Sequence, residues 1–187
     1  LAGITRESEH ALHALEEPPM RRLRHRLPWL VVGLGGSVVA TYVVAQFETA
    51  LAAQPALAFF VPGLVYLADA IGTQSEAVAV RGLSLSHAPL ARLVGGELRT
   101  GFLIGLVLAL LAFPMVWLAF GSVQLATTVA LALGGASLVA SVLGLMLPWL
   151  LARLGTDPAY GSGPLATIVQ DVLSLLIYFA CASVILL

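Results

Sequence analysis

The first residue in this sequence whose setting could do chemistry is a carboxylate where hydrocarbon is expected. Asp171 lies in an apolar run from Gly163 to Leu187, eight positions after the run begins. Coiled as a helix rising ~1.5 Å per residue, that run carries Asp171 ~12 Å inward, close to the midplane of a bilayer. No Arg, Lys or His stands at a comparable depth in any apolar run. A charge at that level costs about 2.5–3.5 kcal/mol on insertion scales, so such residues mark function by default. The carboxyl must be protonated or hydrogen-bonded, hydrated in a cavity, or neutralised by a cation, and the last two readings are favoured. A second group follows another apolar run, Pro55 to Ala68: Asp69, Gly72, Thr73, Gln74, Ser75 and Glu76. Asp69 and Glu76 are seven apart, on one helical face, with Thr73 at i+4 between them. A polar stripe of this kind is expected to face a pathway or a partner. Pro62 and Gly63 upstream could bend the helix or free carbonyls for a ligand. Asp69 has no partner nearby in sequence, whereas Glu76 is close enough to Arg81 for an ordinary ion pair. Glu48 closes the first apolar run, where plain solvation stands beside an ion-attracting role at a mouth.

Other chemistries fit poorly. His10, His13, His25 and His87 all fall outside the apolar runs, which argues against a heme, an intramembrane zinc site or a Ser–His protease. Gly161-Ser162-Gly163 superficially suggests a nucleophile turn, but it has no base at membrane depth and reads as a loop leading into the next helix. With no nucleophile–base pair visible, an enzyme is the least expected reading. Met20, Met115, Met146 and Cys181 show no soft-metal spacing. Carboxylates, carbonyls and hydroxyls suit hard cations such as Mg²⁺, Mn²⁺ or Ca²⁺, and Mg²⁺, which keeps much of its water, needs only one or two carboxylates.

The elements that must position these groups follow from composition. Of 187 residues, 59% are apolar and 10% charged, with a mean hydropathy of +0.98, against roughly a quarter charged in soluble domains. The surplus apolar surface needs lipid. The runs Pro28–Phe47, Pro55–Arg81, Leu93–Phe120, Leu125–Leu151 and Gly163–Leu187 each reach the ~20 residues that cross a bilayer. Lipid leaves backbone amides unsatisfied, so the runs are expected to be helices, and the alternation of a membrane barrel is absent. The lone Cys181 allows no internal disulfide. The chain has nine arginines and no lysine: Arg6, Arg21, Arg22, Arg24, Arg26, Arg81, Arg92, Arg99 and Arg153. On a five-span reading all nine lie on one side. This places the N-terminus in the cytoplasm and the C-terminus outside, a multi-pass protein of the cell (inner) membrane. The arginine cluster is juxtamembrane, and nothing suggests nucleic acid. Gly101 with Gly105, Ser137 with Ser141 and Ala140 with Gly144 have the spacing that lets helices approach closely. Residues 1–27 read as a cytoplasmic segment, with a short helix capped by Thr5 and ended by Pro18 and Pro19. Residues 28–187 read as the membrane domain. The start at Leu1 is compatible with a piece of a longer protein.

An ordered set of motifs then resembles one family. Arg26-Leu27-Pro28-Trp29-Leu30 and Phe47-Glu48 resemble the start and end of the first span of MgtE-type magnesium transporters. Leu57-Ala58-Phe59-Phe60-Val61-Pro62, Gly72-Thr73-Gln74-Ser75 and Arg81-Gly82-Leu83 are similar to their second span. Leu147-Pro148, then Arg153 to Ala159, and finally Ser162-Gly163-Pro164-Leu165, Asp171-Val172 and Leu175 to Tyr178 resemble the loop before the last span and the pore helix itself. The resemblance implies an all-α homodimer of five-helix protomers, with an ion pathway near the dimer axis lined by spans two and five. The family's pore aspartate falls on Asp171, where it would hold hydrated Mg²⁺ assisted by backbone carbonyls one turn earlier, near Thr167. Where the family usually has Gly-Gly-Asn, this chain has Ala68-Asp69-Ala70, and Glu76 stands at a position usually small and apolar. The expectation is a divalent-cation transporter or channel with Glu48 near the mouth, Asp171 (with Thr167) at the centre, and Asp69 and Glu76 on the inner route. A proton-coupled carrier of another solute and a non-transporting assembly or regulatory subunit remain open alternatives.

Overall fold

Two residues decide how the longest helices meet. Gly121 adopts φ +67° after Phe120, a left-handed cap that costs glycine nothing, and its N–H bonds to the Trp117 carbonyl at 2.8 Å. Ser122 then opens the next helix, its hydroxyl accepting from the Leu125 N–H at 3.2 Å, as an N-cap should. A link this short forces a tight antiparallel hairpin. The computed structural model describes residues 18–83, 89–155 and 158–186, without the side chains of 25, 83 and 158–162. The expected Thr5 helix, with Arg6, His10 and His13, lies outside the described residues, as do His87 and the His25 side chain.

The described residues form six helices and no strand: α1 Pro19–Gln46, α2 Glu48–Ala53, α3 Ala56–Leu83, α4 Leu90–Phe120, α5 Val123–Arg153 and α6 Pro158–Ile185. All but the short α2 are long and apolar enough to cross a membrane, over Arg26–Gln46, Ala56–Gly82, Leu90–Phe120, Val123–Arg153 and Gly163–Ile185, close to the five runs expected. Two local expectations need correction. Glu48 does not close the first span but opens α2, because the chain breaks at Phe47. Gly161–Gly163 is not a loop: α6 already starts at Pro158, where the missing N–H of a proline is harmless. Pro62 does not interrupt α3.

α5 is the axis of the bundle. It packs against α3, α4 and α6, while α6 also contacts α3 and α1. The small residues singled out above are the contact points. A Cβ on Gly101 would press on Ser141, and one on Gly105 would meet the Gly134 carbonyl at 2.8 Å. Gly144 lies directly on the Gly72 carbonyl and 2.7 Å, measured from an added Cβ, from Ser75. At one end, Tyr178 donates to the Leu57 carbonyl at 2.9 Å, and Phe47 stacks on Phe179 with centroids 4.4 Å apart. The apolar faces of α1 and α4 remain bare, with residues such as Leu34, Tyr42, Leu110 and Leu118 exposed. Water would not tolerate so wide a patch, and lipid removes the objection.

Candidate functional site

Within the α3–α6 pair the polar residues of two distant segments converge. The two helices run antiparallel, so descending α3 from Asp69 to Glu76 matches descending α6 from Thr167 toward Gly163. The Thr167 hydroxyl donates to Asp69 Oδ1 at 2.8 Å, so Asp69 does have a partner, one the local sequence cannot show. Two turns further along α3, and one turn back along α6, Glu76 Oε1 lies 3.9 Å from where a Gly163 Cβ would be. Both acidic side chains of α3 are half-buried, whereas Thr73 is exposed. The expected stripe thus rotates. At 100° per residue, Gly72 sits on the buried side of the Asp69–Glu76 line and Thr73 on the other.

Asp171 occupies the same seam. It stands one turn after Thr167 on α6, and its Oδ1 is buried with no hydrogen-bond partner among the described residues. Beside it, Gln170 is 2% exposed, with both Oε1 and Nε2 buried and without a partner among the described residues. The amide lies against Gly72, where any Cβ would collide with it. Gly72 is therefore the point where α3, α5 and α6 meet, its carbonyl under Gly144 and its open side under Gln170. Ser174 is satisfied, donating to the Asp171 carbonyl at 3.0 Å.

The structure joins Asp69, Thr167 and Asp171, puts Glu76 on the same seam, and leaves Glu48 apart. Glu48 is exposed beside Phe47, which stacks on Phe179, eight positions or ~12 Å beyond Asp171 along α6. Among the described residues no three His, Cys, Asp or Glu side chains converge as a metal cage, so a cation here would keep most of its water. Two groups escaped the reading by sequence. Gln170 was signalled by its polarity at the depth of Asp171. Glu97 of α4, whose Oε2 accepts from the Ser75 hydroxyl at 3.0 Å, was signalled by a carboxylate inside an apolar run.

Such a bundle, with carboxylates facing inward between its second and last spans, defines a polytopic α-helical membrane protein with a polar interior seam. The profile of the MgtE family, described as a divalent cation transporter, matches residues 61–181, which include every member of that seam. The chain belongs to the MgtE family. Among its relatives, the magnesium transporter MgtE of Bacillus subtilis is 38% identical over 161 residues, covering 84% of this chain and 36% of that protein. The proteins of the same name from Enterococcus faecalis and Thermus thermophilus are 33% and 34% identical, covering 98% and 96% of this chain and 40% and 42% of their own lengths. The chain thus spans less than half the length of these relatives.

Proposed function

We propose that this chain is the membrane domain of a divalent-cation transporter whose cargo is Mg²⁺. The observation that carries the reading is the orphaned Asp171 Oδ1, turned into the protomer and not toward lipid. An acceptor so placed loses its hydration without compensation unless water or a cation reaches it. The relatives' printed name, magnesium transporter, supports the choice of cargo, with Mn²⁺ and Ca²⁺ as competing hard cations. Two protomers pair so that the α3–α6 seams approach a shared axis. Residues 28–187 form the five-helix domain in the cell membrane, after a cytoplasmic segment, with the C-terminus outside. Cations enter past Glu48, dwell at Asp171 near the Thr167 carbonyl, and leave along Asp69 and Glu76. A negative interior drives them with ~2.3 kcal/mol per charge per 100 mV.

Reconstitution of the full chain in liposomes tests this. Asp171→Asn should leave a monodisperse helical protein and remove Mg²⁺ uptake. Undiminished uptake would sink the central-site assignment, and uptake that needs a pH gradient while ignoring Mg²⁺ would replace cation transport with proton-coupled carriage.

A further inference from the structure

α1 and α6 run side by side in step: Gly36 meets Ile168, and eleven residues further along each helix Phe47 stacks on Phe179. The side of α1 that faces α6 is therefore a stripe with alternating steps of three and four residues. It holds Gly36, Ala40, Val43 and Phe47, the last three packed against the core. The same spacing carried back toward the start of the helix meets Gly33, Trp29, Arg26 and Arg22. In the shared register Arg26 stands level with Pro158, where α6 begins, and Arg22 level with Leu154, which is itself exposed. The stripe thus outruns the helix that covers it, and it does so with two guanidiniums. Among the described residues neither has an acidic partner. Arg22 Nε is buried without a hydrogen-bond partner there, so it loses hydration that no described group returns. Arg26 is exposed. Their place adds to the deficit: cations are disfavoured at the start of a helix, and the first turn of α1 has no acidic residue.

The rims of this group define what completes it. Trp29, half-buried one turn along from Arg26, is the kind of side chain that settles at the headgroup level of a bilayer. Around it Leu27, Leu30, Val31 and Leu34 are 46–66% exposed, an aliphatic border that acyl chains suit and water does not. Apolar chains, an aromatic ring at the interface and two guanidiniums just beyond it match one amphiphile. We propose that this end of α1 is a binding site for an anionic phospholipid. Its phosphate accepts from Arg22 Nε–H and from the Arg26 guanidinium, and its chains lie along Leu30 and Leu34 beside Trp29. Arginine suits this task because its planar donors pair with two phosphate oxygens at once. A soluble phosphate would satisfy the guanidiniums but leave the aliphatic border uncovered. The inference goes beyond cation transport and needs only that the bundle lies in a membrane. The lipid covers the part of α1 that α6 is too short to reach.

The test uses the full chain in vesicles, with Trp117→Phe and Trp149→Phe leaving Trp29 as the lone tryptophan. Brominated phosphatidylglycerol quenches Trp29 when it sits beside it, and brominated phosphatidylcholine at the same mole fraction reports contact with a lipid of no net charge. Phosphatidylglycerol should be preferred about tenfold, the scale of one to two basic contacts at a membrane surface. Arg22→Gln combined with Arg26→Gln should bring that preference close to parity. Arg92→Gln, which removes an exposed charge from the start of α4, should leave it unchanged. Equal quenching by the two lipids in the parent would overturn the proposal, and is the result expected if the chain's own acidic stretch from Glu7 to Glu17 held the arginines. An equal fall in Arg92→Gln would overturn it too, since general surface charge would then be responsible. If the double variant does not fold, Arg26→Gln alone should still lower the preference about threefold, and no change there overturns the site equally.

Discussion

Thr167 and Asp69 are bonded across 98 positions of sequence, and that bond changes what each is for. The Thr167 hydroxyl anchors a half-buried carboxylate that the local sequence leaves isolated. Thr167→Val keeps the side-chain shape and strands Asp69. The stranded acceptor should cost about 1–3 kcal/mol, read as a lower melting temperature in detergent, while Thr167→Ser should melt as the parent does. Equal melting of the Val and parent proteins would mean that the bond contributes nothing. Asp171 was legible from hydropathy alone, since a lone charge in an apolar run is conspicuous. The Asp69–Thr167 pairing was not, because each residue looks like an isolated polar interruption until α3 and α6 are laid side by side. Thr73 shows the opposite failure. Spacing put it on the acidic stripe, but the i+4 step carries it 40° past Asp69, away from the face that Gly72 buries.

At the scale of elements, α3, α5 and α6 touch through missing side chains. Gly144 carries its α5 backbone onto α3, so even one methyl group there must push the helices apart. Gly144→Ala should destabilise the bundle by about 1–3 kcal/mol, as overpacked interiors do. Gly134, ten residues earlier on α5, faces open space for a Cβ. Gly134→Ala should therefore be neutral or gain up to about 1 kcal/mol of helix propensity. Thermal melting of the two variants side by side checks the contrast, and equal destabilisation would refute the packing assignment. The spans were readable because lipid imposes length and apolarity. Which glycines are contacts was only half readable: Gly101, Gly105 and Gly144 had the spacing, whereas Gly72 stood in a polar stretch that hid its packing role.

For the whole molecule, the arginine distribution makes a topological prediction. In a Cys181→Ser background, Ser122→Cys should react with a membrane-impermeant maleimide on intact cells, and Leu154→Cys only after permeabilisation. The reverse pattern would invert the proposed orientation. Another consequence lies in how the helices are joined. α1 rests chiefly on α6, with Gly36 against Ile168 and Phe47 flat on Phe179, although these two spans are the farthest apart along the described chain. A ribosome releases α1 while α6 is still unmade, so α1 must wait in the membrane without its principal mate. The bundle behaves like a bracelet whose clasp shuts only when synthesis reaches the Asp171 helix, so the polar seam and the finished architecture come into being together.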